Sequence, residues 1–157
     1  MTTSPASSLI SDIGATNARF ALLVDSQIVA SETYAVADYA SPIEAARAFL
    51  SGPAAGYSPD QALIAAAGPV ERGRVALTNA AWIVDSDRIR EGLSMTDVVV
   101  LNDFEALGWA LPALRPEDIA MLGTPRAAGG GTMAVMGPGS GFGLAAIAYG
   151  MMGEAVL

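Results

Sequence analysis

Apolar and polar positions along the chain switch period several times, and each switch marks an element. "LISDIG" at 9–14 reads as a short strand that stops at Gly14, and "ARFALLV" at 18–24 alternates as a second, with Arg19 and Phe20 on opposite faces. Asp25-Ser26 makes a turn and "QIVASETY" at 27–34 continues as a third strand, so a β-meander opens the fold. "SPIEAARAFL" at 41–50 carries Ser41 as N-cap and Pro42 at the first helical position, which predicts a helix. "ALIAAAG" at 62–68 is a buried strand and "GRVALTN" at 73–79 a shorter one. "DSDRIREGL" at 85–93 has a capping residue, early acids, later Arg and Gly92 near its end, the marks of a short helix. "DVVVLND" at 97–103 is unbroken and β-branched, as expected of a strand covered on both faces. "FEALGWAL" at 104–111 then sets Phe104, Leu107, Ala110 and Leu111 on one helical face, and Pro112 ends it.

Residues 1–8 are a loose Ser/Thr-rich lead-in, residues 9–122 form a small α/β domain, and the Gly-rich stretch 123–131 reads as an exposed loop. Residues 132–157 follow as strand, glycine-rich turn, strand. The two ends of the chain echo each other, since "ISDIGATNARFAL" and "AVMGPGSGFGLAAI" both run strand, Gly/Thr/Ser turn, strand.

Composition narrows the chemistry. Of 157 residues 52% are hydrophobic and 15% charged, which fits a globular fold. There is no His and no Cys, and all eight basic residues are Arg. A Ser-His-Asp triad, a Cys nucleophile and the usual zinc sites are thereby excluded. So are Schiff-base chemistry and the Walker-type phosphate loop, which needs a Lys. A net charge of -8 disfavours nucleic acid and anionic membrane as partners, because phosphate backbones demand clustered cations. No apolar run reaches the roughly 18 residues of a membrane span, and the N-terminus has no secretory pattern, so a cytoplasmic location is expected.

Three turns could carry the remaining chemistry of carboxylates, hydroxyls, amides and backbone N–H groups. In "DIGATN", Gly14 permits positive φ, Thr16 and Asn17 add donors, and Asp12 could hold a hard cation through water. An ordinary hairpin whose Asp and Asn satisfy their own turn accounts for the same letters. "GPGSGFG" places glycines at 137, 139, 141 and 143, more than one tight turn needs, and matches neither G-x-G-x-x-G nor G-x-S-x-G. Close approach of backbone to a ligand, with Ser140 as donor, stands beside a flexible linker. In "LNDFEAL", Asn102 or Asp103 is either a helix N-cap or a site residue beyond a strand end. In the second case Asp103 is a general base for a hydroxyl and Asn102 anchors a neighbouring one.

Taken together these segments resemble bacterial glucokinases of the proteobacterial, non-ROK group, in the sugar kinase, heat-shock cognate and actin superfamily. "DIGATNARFAL" is similar to the first phosphate motif D-x-G-G-T-N-A-R, and "GPVERGRVALTNAAW" to G-P-V…T-N-x-x-W. "VVVLNDFEALGWALP" resembles the sugar-binding and catalytic segment, and "GPGSGFG" the second phosphate motif G-x-G-T-G-x-G. The absence of Cys separates the chain from the ROK group with its Cys-rich zinc segment. The resemblance implies an α/β fold of ribonuclease H-like (actin-like ATPase) type, with a mixed sheet, the N-terminal β-meander and flanking helices. It implies transfer of the ATP γ-phosphate to the 6-hydroxyl of glucose, with Asp103 as base and Asn102 and Asn79 at the sugar, Asn79 and Trp82 lying near its cleft. Asp12 would stand near Mg²⁺ through water, Gly14, Thr16 and Asn17 near the ATP phosphates, and Gly139, Ser140 and Gly141 on their other side.

Ala15 and Ser140 depart from the motifs' Gly and Thr, and the family's G-E-G-G-H sugar segment is absent, Glu154 lacking the Gly-Gly-His. The expectation is an N-terminal domain plus the opening hairpin of a truncated second one, incomplete for activity. Self-association through strands 132–136 and 144–148, which lack sheet partners, is expected as well. A non-catalytic sugar- or nucleotide-binding fragment, a kinase of another hexose, an actin-like assembly protein and a two-carboxylate glycosidase are the competing readings.

Overall fold

The structure, a computed structural model, describes residues 7–123, 131–138, 141–149 and 154–157. It divides into two compact units, Met1–Asp103 and Phe104–Leu157. This division precedes the 123–131 segment that composition marks as a loop, most of which lies outside the described residues.

The first unit is built on a five-stranded mixed sheet. Strands β1 (Ser7–Ile13), β2 (Asn17–Val24) and β3 (Gln27–Ala35) form the expected meander, with Asp25 and Ser26 both in left-handed backbone at the second turn. Helix α1 (Pro42–Ser51) starts where sequence predicts, the Ser41 hydroxyl accepting from the Glu44 N–H at 3.2 Å. Strand β4 (Gln61–Ala66) runs parallel to β1, and a small hairpin of β5 (Arg74–Ala76) and β6 (Ile83–Asp85) follows. The three-residue β6 is not foreseen, because Asp85 is at once its last residue and the N-cap of α2 (Ser86–Leu93). β7 (Asp97–Asn102) then joins the far side of β4 in parallel, which gives the strand order β3-β2-β1-β4-β7.

One face of this sheet is closed. Leu9, Ile13, Phe20, Leu22, Ile64, Val98 and Val100 are buried with Phe49 of α1 and Ile89 of α2. Phe20 stacks on Phe49 at 6.0 Å between centroids. The other face is not covered among the described residues, since Leu63 and Val99 stay 44% and 41% exposed. The expectation that β7 is covered on both faces is therefore corrected: its valines alternate buried and exposed. A β-branched run reports that both faces are apolar, not that both have a partner.

The second unit begins at Phe104, the second residue of α3 (Asp103–Ala110), and continues through short 3₁₀ turns at Leu111–Ala113 and Pro116–Asp118. Strands β8 (Met133–Pro138), β9 (Phe142–Tyr149) and β10 (Ala155–Val156) make an antiparallel sheet of order β10-β9-β8. The apolar face expected of α3 is not the buried one. Leu107 is exposed and the helix buries Gly108 instead, where an added Cβ would run into Leu157 and come within 3.1 Å of Ala145. A small residue there lets neighbours approach the helix backbone, a demand that hydrophobic spacing does not encode. No helix among the described residues is long and apolar enough to cross a membrane.

Candidate functional site

Three parallel strands end on one rung. Ile13 of β1 pairs in register with Ala66 of β4, and Ala66 with Asn102 of β7. The chain leaves these ends through Gly14, through Ala67-Gly68 and through Asp103, so the three exits are neighbours. The Ala67 N–H donates to the Ile13 carbonyl at 3.0 Å and carries the ladder one residue further. Ligands of open α/β sheets bind beyond strand ends of this kind, where backbone groups are released from the ladder.

Asn102 and Asp103 occupy the β7 exit, both half-buried. The Asn102 amide donates to the Gly68 carbonyl at 2.9 Å, which ties the β7 end to the loop after β4. Gly68 has φ +147, and a Cβ there would stand 3.0 Å from Val75, so the position calls for glycine on two counts. Its part in holding Asn102 is a residue role that motif reading passes over; the signal lay in the "GPV" letters. Asp103 is the first residue of α3.

At the β1 exit the "DIGATN" turn is closed by a 2.9 Å bond from the Gly14 N–H to the Asn17 carbonyl, while the Thr16 carbonyl accepts from the Val36 N–H. Gly14 is not among the glycines with positive φ, so the reason expected for it is corrected. The side chains of Thr16 and Asn17 are exposed. Asp12 lies on the uncovered sheet face and accepts from Arg19 at 2.8 Å, both more than half exposed. They line a groove of about 440 Å³ with Ile10, Ala21, Ser31 and Thr33. No group of three or more metal-binding side chains converges among the described residues. One carboxylate suits Mg²⁺ held chiefly by phosphate oxygens and water, the habit of an ion that dehydrates reluctantly.

Asn79 is exposed at the tip of the β5–β6 hairpin. Trp82 anchors that loop: the residue is 3% exposed, its indole N–H donates to the Tyr39 carbonyl at 2.9 Å, and its own carbonyl accepts from the Leu77 N–H. In the second unit, Gly141 is exposed with nothing within 4 Å of an added Cβ. Gly139 and Ser140 lie outside the described residues.

The glucokinase family profile matches residues 9–157. The chain belongs to the glucokinase family. It is 38% identical over 141 residues to a glucokinase of Caulobacter sp. strain K31, covering 87% of this chain and 43% of that protein. A glucokinase of Rhizobium meliloti is 36% identical over 146 residues, covering 90% and 42%. Among solved structures, a glucokinase from an Antarctic psychrotroph superposes with a TM-score of 0.83 at 33% identity, covering 98% of this chain and 50% of that one. A ROK hexokinase from Thermus thermophilus, at 13% identity and TM-score 0.61, shares the fold. The fold of this glucokinase-family chain is thus the actin-like ATPase type with a mixed sheet, and the chain spans less than half the length of the curated relatives it matches.

Proposed function

We propose that a protein carrying this chain together with the remaining portion of a glucokinase transfers the γ-phosphoryl group of ATP to the 6-hydroxyl of glucose. The single observation that supports this most is the shared rung of Ile13, Ala66 and Asn102, which gathers the three candidate exits at one sheet edge in a chain of this family. In this reading Asp103 accepts the proton of the attacking hydroxyl. Asn102, its amide held by Gly68, orients a neighbouring hydroxyl, and Asn79 reaches the sugar from the β5–β6 loop. The exposed Thr16 and Asn17 side chains and the Gly14 turn meet the nucleotide phosphates, and Gly139, Ser140 and Gly141 are the further candidates for contact with them. Asp12 would hold Mg²⁺ through water, and the ion would supply charge neutralisation to the phosphates. Such a transfer demands positioning and electrostatic stabilisation more than covalent catalysis, so the absence of His, Lys and Cys from this chain does not exclude it.

Asp103→Asn tests the reading. Glucose binding, followed by calorimetry, is expected to persist while kcat falls by roughly 10²- to 10⁴-fold, the usual contribution of a general base. Turnover at the parent rate would remove Asp103 from this role. Because the chain spans under half of its relatives, sugar or nucleotide binding without turnover is the second reading for the chain alone. Glucose binding by the isolated chain in the absence of glucose 6-phosphate formation would favour it.

A further inference from the structure

The glycines of the second hairpin have a use besides ligand approach. Gly137 of β8 and Gly143 of β9 are directly opposite each other in the sheet, so one rung of the hairpin carries no side chains. The ring of Phe104 lies over that rung. A Cβ on Gly143 would run into the ring atoms Cδ2, Cε2 and Cγ, whereas one on Gly137 would meet the ring edge at an ordinary 3.7 Å. The seat is therefore strict at 143 and tolerant at 137. Phe104 is the second residue of α3 and directly follows Asp103. The helix has only eight residues, too few to be stable by itself, and the residue it buries, Gly108, lies in its second half. At the first turn the Phe104 ring supplies the anchor.

We propose that Phe104 is a positioning residue: seated on the facing glycines 137 and 143, its ring fixes the first turn of α3 and so the direction in which Asp103 presents its carboxylate. This rests on the phosphotransfer reading above. A base displaced by an ångström loses much of its effect, while substrate affinity, set elsewhere, does not change with it.

The test compares the full-length protein with Gly143→Ala, Gly137→Ala and Phe104→Leu. Gly143→Ala and Phe104→Leu are each expected to lower kcat by about 10- to 100-fold, the scale of such misplacement, with glucose KM unchanged. Gly137→Ala should leave the packing of the Phe104 ring, read by hydrogen exchange of the peptide 101–106, as in the parent. Hydrogen exchange of the peptide 101–106 should quicken in Gly143→Ala although the substitution is remote in sequence. Unchanged exchange there would overturn the seat, and quickened exchange with parent kcat would overturn its positioning role. Equally quickened exchange in the 137 and 143 variants would also overturn the seat. A parent without turnover would instead overturn the phosphotransfer reading, and the exchange measurement would still decide the seat.

Discussion

The hairpins β1–β2 and β8–β9 share a sequence plan and differ in what surrounds it. The first lies inside a five-stranded sheet, paired on both sides, with Leu9, Ile13, Phe20 and Leu22 buried on one face. The second belongs to a three-stranded sheet in which Met136, Phe142 and Leu144 are 63%, 72% and 62% exposed. Their glycines differ as well. Gly14 spends its N–H closing a turn, while Gly143 makes room for a ring. Alternation and a glycine turn thus specify a hairpin; what covers it, and what its glycines are for, is decided by residues elsewhere in the chain.

The widest contrast should come from truncating one leucine in each hairpin. Leu22, fully buried in β2, is expected to cost about 2–5 kcal/mol as Leu22→Ala, because transfer energy and a cavity are lost together. Leu144→Ala, at an exposed position of β9, should stay within roughly 0.5 kcal/mol. Urea denaturation followed by the fluorescence of buried Trp82 measures the first, and hydrogen exchange over 142–149 the second. Comparable costs at the two sites would break the contrast.

The glycine contrast is next in size. Gly143→Ala puts a methyl where the Phe104 ring lies and should destabilise the second unit by about 1–3 kcal/mol, the usual cost of overpacking. Local unfolding measured by exchange over β8 and β9 reports it. Parent-like protection would mean that the ring moves aside at no cost.

Punctuation was the legible part of the fold. Ser41-Pro42, Asp85 and Asp25-Ser26 act through bonds to residues within a turn of themselves, so the sequence is enough to place them. The exposed face of β7 was not legible, since "VVVL" has the same letters whether or not a layer lies over it. Nor was the buried face of α3, set by Leu157 and Ala145 meeting Gly108. In the candidate site, the strand-end location of Asn102 and Asp103 follows from local pattern. The clasp of Asn102 on Gly68 joins positions 34 apart and needs the parallel register of β4 and β7.

A smaller test sharpens the picture of the first hairpin's closed face. Ser11 is buried there between Phe20 and Ile64 on the flanking strands, and its hydroxyl has no partner among the described residues. A buried unpaired hydroxyl lacks the hydrogen bonds that water would give it, so Ser11→Ala should raise stability by about 1 kcal/mol. A fall in the urea midpoint would show that the hydroxyl is paired in solution.

The smallest effect is expected at Gly14, and its sign separates fold from ligand. The backbone there lies outside the left-handed region, and an added Cβ would stand 3.6 Å from the Asn17 carbonyl, an ordinary contact. Gly14→Ala should therefore stabilise the chain slightly, by about 0.4–1 kcal/mol, through a less flexible unfolded state. If Gly14 serves the approach of phosphate, the same variant should bind MgATP more weakly while melting at a higher temperature. A rise in Tm with undiminished nucleotide affinity would take Gly14 out of the proposed phosphate turn and leave Thr16 and Asn17 to carry it.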